Sequence, residues 1–274
     1  AAAESGKVFG VMFNQRNHPV HRKLKELIDS GELGEIRRTN WIITSWYRSQ
    51  SYYDAGGWRA TWEGEGGGVL TNQCPHQLDI FQWLFGLPTR VRAFGALGKY
   101  HKIEVEDEIT AICDFPNGAT GAFITNTCEF PGTNRLEIAC NRGLVIVEND
   151  EITFRRTEEE VSHHLKTTNE RFAGPGVWEC KIPYKEAPYQ QHDMIIRNFA
   201  DAILNGTELV APGTEGIRSV ELGNAMLYSA LNDVTVEMPL DGEAYKAMLM
   251  DLIEKSDFVK EVGDTKIVDL NKSF

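Results

Sequence analysis

No apolar run in this 274-residue chain approaches the roughly 18 residues that would span a bilayer, and the opening Ala1-Ala2-Ala3-Glu4-Ser5-Gly6 lacks the apolar core of a secretion signal. A cytoplasmic location without a membrane partner is expected. Positive charge is scarce: 28 Lys and Arg stand against 40 Asp and Glu, and a basic cluster such as Arg37-Arg38 is too short a footprint for phosphate backbones. No nucleic-acid partner is expected. Cysteine is sparse as well. The five residues at 74, 113, 128, 140 and 180 form no CxxC pair and fall mostly in apolar, strand-like runs, which reads as buried reduced thiols. Cys74-x-His76 with His192 gives no four-ligand zinc spacing, so no metal site is expected.

A dinucleotide fingerprint is also missing. The glycines of Gly64-Glu65-Gly66-Gly67-Gly68 invite comparison with a phosphate loop, but such a loop needs a buried apolar strand before it and an acidic residue about 20 residues after it. Trp58 to Glu63 is no buried strand, so these glycines read as close-packing or entry residues. No cofactor-binding residue is expected in this chain.

What the chain does contain is ordered strands first, helices after. Lys7 to Phe13 reads as a buried strand, and Pro19 opens a helix with Val20, Leu24, Leu27 and Ile28 at helical spacing, closed by Gly31. Gly34 to Tyr47 reads as a long strand, followed by an aromatic loop from Arg48 to Glu65. One helix is expected from Val69 to Phe85, stopped by Gly86 and Pro88. From Thr89 to Pro183 the pattern turns to period-two alternation, with turn signals at Pro116-Asn117-Gly118, Pro131-Gly132, Asn141-Arg142-Gly143 and Asn149-Asp150. That predicts an antiparallel meander. Thr157 to Gly176, polar and glycine-bearing, reads as a mobile excursion in which His163 and His164 are solvated. Helices are predicted over 192–204, 215–231 and 243–253, with Thr214 as N-cap of the second. This order predicts an α+β fold over 1–274 as a single domain: a large, open, mostly antiparallel sheet with helices packed on one face.

Chemistry-bearing residues gather around the predicted Val69–Phe85 helix. At helical spacing Asn72 and His76 share a face and Asp79 follows one turn on. His76 reads either as a proton acceptor, whose imidazole suits neutral pH, or as a core histidine bonded to Asp79 or a carbonyl. Asn72 orients a substrate or packs as a helix amide. Arg16, just after a strand, reads as an exposed guanidinium reaching a pocket or as a surface ion pair. Trp58 and Arg59 suit sugar recognition or seal a core.

Four stretches occur together in order and spacing: Val11-Met12-Phe13-Asn14-Gln15-Arg16-Asn17-His18-Pro19; Leu27 to Ile36; Gly66-Gly67-Gly68-Val69-Leu70 with Asn72, His76 and Asp79; and Asn198-Phe199 with Ala202-Ile203 and Gly206. In this combination the chain resembles the Gfo/Idh/MocA oxidoreductase family over nearly its whole length. The resemblance implies NAD(P)-dependent oxidation or reduction at a ring hydroxyl of a sugar or inositol. It implies His76 and Asn72 as catalytic residues, Arg16, Trp58, Arg59 and Gln73 as substrate-binding, Asp79 in support, and a homo-oligomer formed through the sheet face. Two departures stand out. The family's N-terminal Rossmann domain has no counterpart here, so NAD or NADP is expected in the complete enzyme and not on this chain alone. Asn72 stands where many members carry aspartate, which leaves any base duty to His76. A glycosidase of the same superfamily using retained NAD and a non-catalytic dimerisation or partner domain are the alternatives.

Overall fold

The computed structural model describes residues 1–260. Among the described residues nine strands form one sheet: β1 Ile36–Ile43, β2 Arg90–Leu97, β3 Glu106–Asp114, β4 Thr120–Asn126, β5 Asn134–Cys140, β6 Gly143–Glu148, β7 Glu151–Thr157, β8 Val177–Ile182 and β9 Val236–Glu237. The helices are α1 Ala2–Ser5, α2 Pro19–Asp29, α3 Gln50–Asp54, α4 Trp62–Glu65, α5 Val69–Asn72, α6 Pro75–Phe85, α7 Val161–Thr167, α8 Gln191–Asn205, α9 Gly216–Asn232 and α10 Gly242–Lys255. The α+β class follows as the strand and helix patterning requires.

The turn chemistry explains the hairpins. Asn149 and Asp150 join β6 to β7 and both take positive φ, 52° and 59°, as a two-residue turn matched to strand twist demands. The sheet order, β8-β7-β6-β5-β1-β4-β3-β2-β9, departs from a continuous meander. β1 lies between β5 and β4, antiparallel to the first and parallel to the second, with Trp41 opposite Leu136 on one side and Phe123 on the other. The central strand is thus supplied from far upstream in sequence.

Alternation sorts the two faces. Trp41, Ile43, Val91, Ala93, Ile109, Ala111, Phe123, Leu136 and Ile138 are buried on one side. There Trp41 packs edge-on to Phe123, Phe123 to Phe81 of α6, and His21 of α2 to Trp41. Ser229 of α9 accepts a hydrogen bond from the Ala93 amide, which fastens this long helix to the same face. The other face is open. It carries Phe94 and Ile112, 60% and 45% exposed, beside a charged region around Arg135, Glu148, Arg155 and Lys181.

Four local expectations are corrected. Lys7 to Phe13 forms no strand: it is extended but meets only a single bridge, Gly10 to Pro212, and Val8, Phe9 and Met12 stay exposed for want of a second neighbour. The strand expected from Gly34 to Tyr47 ends at Ile43. Thr157 to Gly176 contains α7, where His164 is held by Glu159 at 2.7 Å and the Ala173 carbonyl at 3.0 Å, so only His163 is solvated. Thr214 does not cap α9, which instead grows out of a 3₁₀ turn, Gly213–Glu215. Of the five cysteines, Cys74, Cys113 and Cys140 are buried, and none is in a disulfide.

Candidate functional site

The predicted Val69–Phe85 helix is two helices. Pro75, with no amide hydrogen and a clash against the preceding turn, ends α5 and opens α6 at its first position. Asn72 and Gln73 therefore close one helix while His76 opens the next, and the shared helical face assumed for Asn72 and His76 does not exist.

The glycines before α5 are packing residues. A β-carbon on Gly68 would lie 2.0 Å from the Glu106 carbonyl oxygen, so only glycine lets α5 approach β3. The amides of Gly68 and Leu70 donate to the Glu106 carboxylate at 2.8 and 3.1 Å. These are the donors a pyrophosphate would need. They already serve a buried acid, so this turn does not fit a nicotinamide dinucleotide. Burial raises the Glu106 carboxyl to about 7, outweighing the two amide bonds that favour its charged form.

Beyond this anchor a polar network converges on Tyr52 of α3. Arg59 Nη1 donates to the Tyr52 hydroxyl at 2.6 Å, and that hydroxyl donates to Asn72 Oδ1 at 2.9 Å. Gln73 Nε2 reaches both the Tyr52 oxygen, at 3.2 Å, and Asn72 Oδ1, at 2.7 Å. Asn72 Nδ2 donates to Glu65, whose other oxygen accepts from the Ala60 amide. The asparagine now has a physical reason: an aspartate there would set one carboxylate against another. The Arg59 guanidinium lies 4.7 Å from the ring centroid of Trp58, which is half exposed.

His76 has a different environment. Its ring packs edge-on to Phe13 at 6.3 Å, near Asp79 and His192. Burial lowers its pKa, with Asp79 opposing and His192 reinforcing the shift, so the imidazole is neutral at pH 7. Its Nδ1 is buried without a hydrogen-bond partner among the described residues, as are Gln73 Oε1 and Gln77 Oε1. Unpaired buried polar atoms are costly, and three of them bracket the α5–α6 junction.

Arg16 and Asp79 lie elsewhere. Arg16 is 2% exposed, against the expected surface guanidinium. It grips Asp79 through Nε at 2.9 Å and Nη2 at 2.7 Å, and sends Nη1 to Glu215 at 2.6 Å and the Val210 carbonyl at 3.1 Å. Asp79 takes a further bond from Gln82 at 2.8 Å and makes none to His76. The two residues tie the Asn14–Asn17 turn to α6 and to the start of α9, a strut and not a contact surface. Among the described residues no group of three or more His, Cys, Asp or Glu is placed to hold a metal ion.

A model of the GFO/IDH/MocA C-terminal domain matches residues 21–146, which contain β1 to β5 and both halves of the broken helix. Residues 21–146 belong to the GFO/IDH/MocA C-terminal domain family. YteT, an inferred oxidoreductase of Bacillus subtilis, is 36% identical over 102 residues, a stretch covering 36% of this chain and 23% of YteT. The WlbA dehydrogenase of Chromobacterium violaceum, solved with NADH and UDP-GlcNAcA, superposes with a TM-score of 0.71 at 28% identity over 88% of this chain. WlbA of Bordetella pertussis, with the same two ligands, gives 0.68 at 26% identity over 87%. The chain spans 65% of the length of each of these two dehydrogenases.

Within this GFO/IDH/MocA domain the structure brings Arg59, Asn72 and Gln73 together, with Trp58 beside them, and sets His76 across the Pro75 break. The sequence reading passed over Tyr52, Glu65, Arg48 and Glu106. Tyr52 and Arg48 had one visible signal, an aromatic loop rich in hydrogen-bonding residues between a strand and a helix. Glu106 had none, because an acid at the start of a strand gives no hint that a glycine turn will close over it.

Proposed function

We propose that this chain supplies the substrate-binding and proton-accepting half of an NAD(P)-dependent oxidoreductase acting at a ring hydroxyl of a sugar or polyol. The observation that carries it is the pairing, across one helix break, of a neutral half-buried imidazole with an unpaired Nδ1 and a network of amide and phenol groups ending on Asn72 and Gln73. The similarity to dehydrogenases solved with NADH and a nucleotide sugar supplies the reaction class.

The chain's own residues account for recognition and for the proton. Neighbouring ring hydroxyls exchange hydrogen bonds with Asn72, Gln73 and Tyr52. Trp58 offers a flat apolar face to a sugar ring. As the carbinol is oxidised its hydroxyl proton passes to neutral His76, for which a lowered pKa is the correct starting state. NAD or NADP belongs to the complete enzyme and is held outside the glycine turn, whose amides Glu106 occupies. The domain self-associates through its open sheet face, and the enzyme works in the cytoplasm.

In the complete enzyme, His76→Ala should lower turnover by about 10² to 10⁴, or about 3 to 5 kcal/mol in barrier, with the fold unchanged. Asn72→Ala should cost on the order of 1 to 3 kcal/mol, as a lost substrate hydrogen bond. Turnover measured against pH tests both. Near-normal turnover with an unshifted profile in His76→Ala would make the histidine a core residue and end this reading.

A further inference from the structure

Two arginines flank the network without carboxylate partners. Arg48, past the end of β1, and Arg59, before α4, are both half-buried, and each guanidinium lies over the Tyr52 ring, 5.0 and 4.4 Å from its centroid. Among the described residues Arg48 Nη1 donates only to the Tyr47 carbonyl, at 3.0 Å, and Arg59 Nη1 to the Tyr52 hydroxyl. The Nε of both is buried and has no acceptor, and neither side chain forms an ion pair among the described residues. The nearby acids are committed elsewhere: Glu65 to Asn72 and the Ala60 amide, Asp54 to Gln50. A third cation stands beside them, because Lys260 Nζ donates to the Arg59 carbonyl, where it also lies within the field of Glu65 and Asp54.

This arrangement runs against the chain's own composition. With 40 acidic residues against 28 basic ones, carboxylates are plentiful, yet among the described residues none forms an ion pair with either of these two half-buried guanidiniums. Two like charges over one ring repel, and an unpaired buried N–H adds a further cost. An anion with two oxygens relieves both, since a guanidinium fork matches that geometry. Both charges lie over one ring, so a single ligand of sugar size can touch them while its hydroxyls reach Asn72 and Gln73, themselves bonded to the same Tyr52 oxygen.

We propose that the substrate of this site is an acidic sugar whose anionic group is taken by Arg48 and Arg59. The inference rests on the function proposed above. The anion is a carboxylate or a phosphate on the sugar, and the guanidiniums select it over a neutral hexose or polyol.

Binding to the full chain, followed by calorimetry, tests this with glucuronate, galacturonate and glucose 6-phosphate against glucose, galactose and myo-inositol. At least one acidic ligand should bind ten-fold or more tighter than its neutral counterpart, and the preference should shrink as salt rises. A preference for uronates assigns the anion as a carboxylate, and one for the hexose phosphate assigns it as a phosphate. Arg48→Gln should erase most of the preference while leaving neutral sugar affinity unchanged, whereas Arg59→Gln, which also removes a donor to the Tyr52 hydroxyl, should erase the preference and weaken both kinds of sugar. Arg48→Gln serves alone if Arg59→Gln fails to fold, and Arg48→Lys should restore part of the preference through charge. If neutral sugars bind as tightly as acidic ones and Asn72→Ala weakens both, the acidic-sugar proposal falls while the site stands. If no sugar of either kind binds, the site reading falls and takes this proposal with it.

Discussion

Replacing Glu106 by glutamine is the perturbation that most directly tests how the site is anchored. The carboxylate sits at the start of β3 with 1% exposure and closes over the turn that leads into α5. Its folded value of about 7 lies above the ordinary 4.5, so between these values the native state holds a proton that the unfolded state has lost. Stability from this group is therefore full below pH 4.5, falls as pH rises, and levels off above 7. At roughly 1.4 kcal/mol per pH unit, the loss between pH 5 and 8 is about 2.5 kcal/mol. Glutamine stays neutral throughout. Its single oxygen serves one of the two amides and its NH₂ serves neither, which costs about 1 to 2 kcal/mol at low pH. The two effects oppose each other, so Glu106→Gln should be the less stable protein at pH 5 and the more stable one at pH 8. Urea unfolding of both proteins across that range measures the difference, in which other titrating groups cancel. A difference that stays constant within about 0.5 kcal/mol would refute the reasoning.

Two further predictions concern the parts of the fold that hold and surround the site. Asp79→Ala removes the bidentate partner of a buried guanidinium and leaves it Glu215 alone as a counter-charge, which should cost about 3 kcal/mol in unfolding free energy, while Arg16→Met with Asp79→Leu in one chain should cost less than Arg16→Met and Asp79→Leu summed; strict additivity in that double-mutant cycle would show the pair to be uncoupled. Phe94→Asp and Ile112→Asp place charges on the open sheet face without touching the core, and sedimentation should show smaller species than the unaltered chain; an unaltered chain that sediments as a monomer at micromolar concentration removes the premise.

Apolar alternation along β2 to β5 supplies that open face with far fewer residues than it supplies the core. Of Val91, Phe94, Ile109, Ala111, Ile112, Phe123 and Ile138, only Phe94 and Ile112 lie on the open side. The others are in the core with α2, α6 and α9. Alternation in sequence gives the two faces of a strand but not which of them a helix will cover.

What the sequence by itself determined follows from short-range physics. Period-two alternation with turn residues at 116–118, 141–143 and 149–150 set the strands of β3 to β7, because a side chain's face and a turn's φ depend only on neighbours. The long helices near 192–204, 215–231 and 243–253 emerged from the same local spacing. The site helix was legible in place but not in form, since Pro75 was present and its break went unread. Only tertiary structure decided the rest. β1 enters between β4 and β5 through pairings some 80 to 100 residues apart in the chain, and no local pattern encodes that choice. Arg16 lost its exposure because Asp79 and Glu215, 63 and 199 residues away, converge on it. The Asn72 network exists because a loop beginning after β1 folds back over α5, bringing Tyr52 and Arg59 to an amide that spacing had assigned to His76. Hydrogen bonds of that kind are fixed by where whole elements come to rest, and a sequence read a few residues at a time carries no record of it.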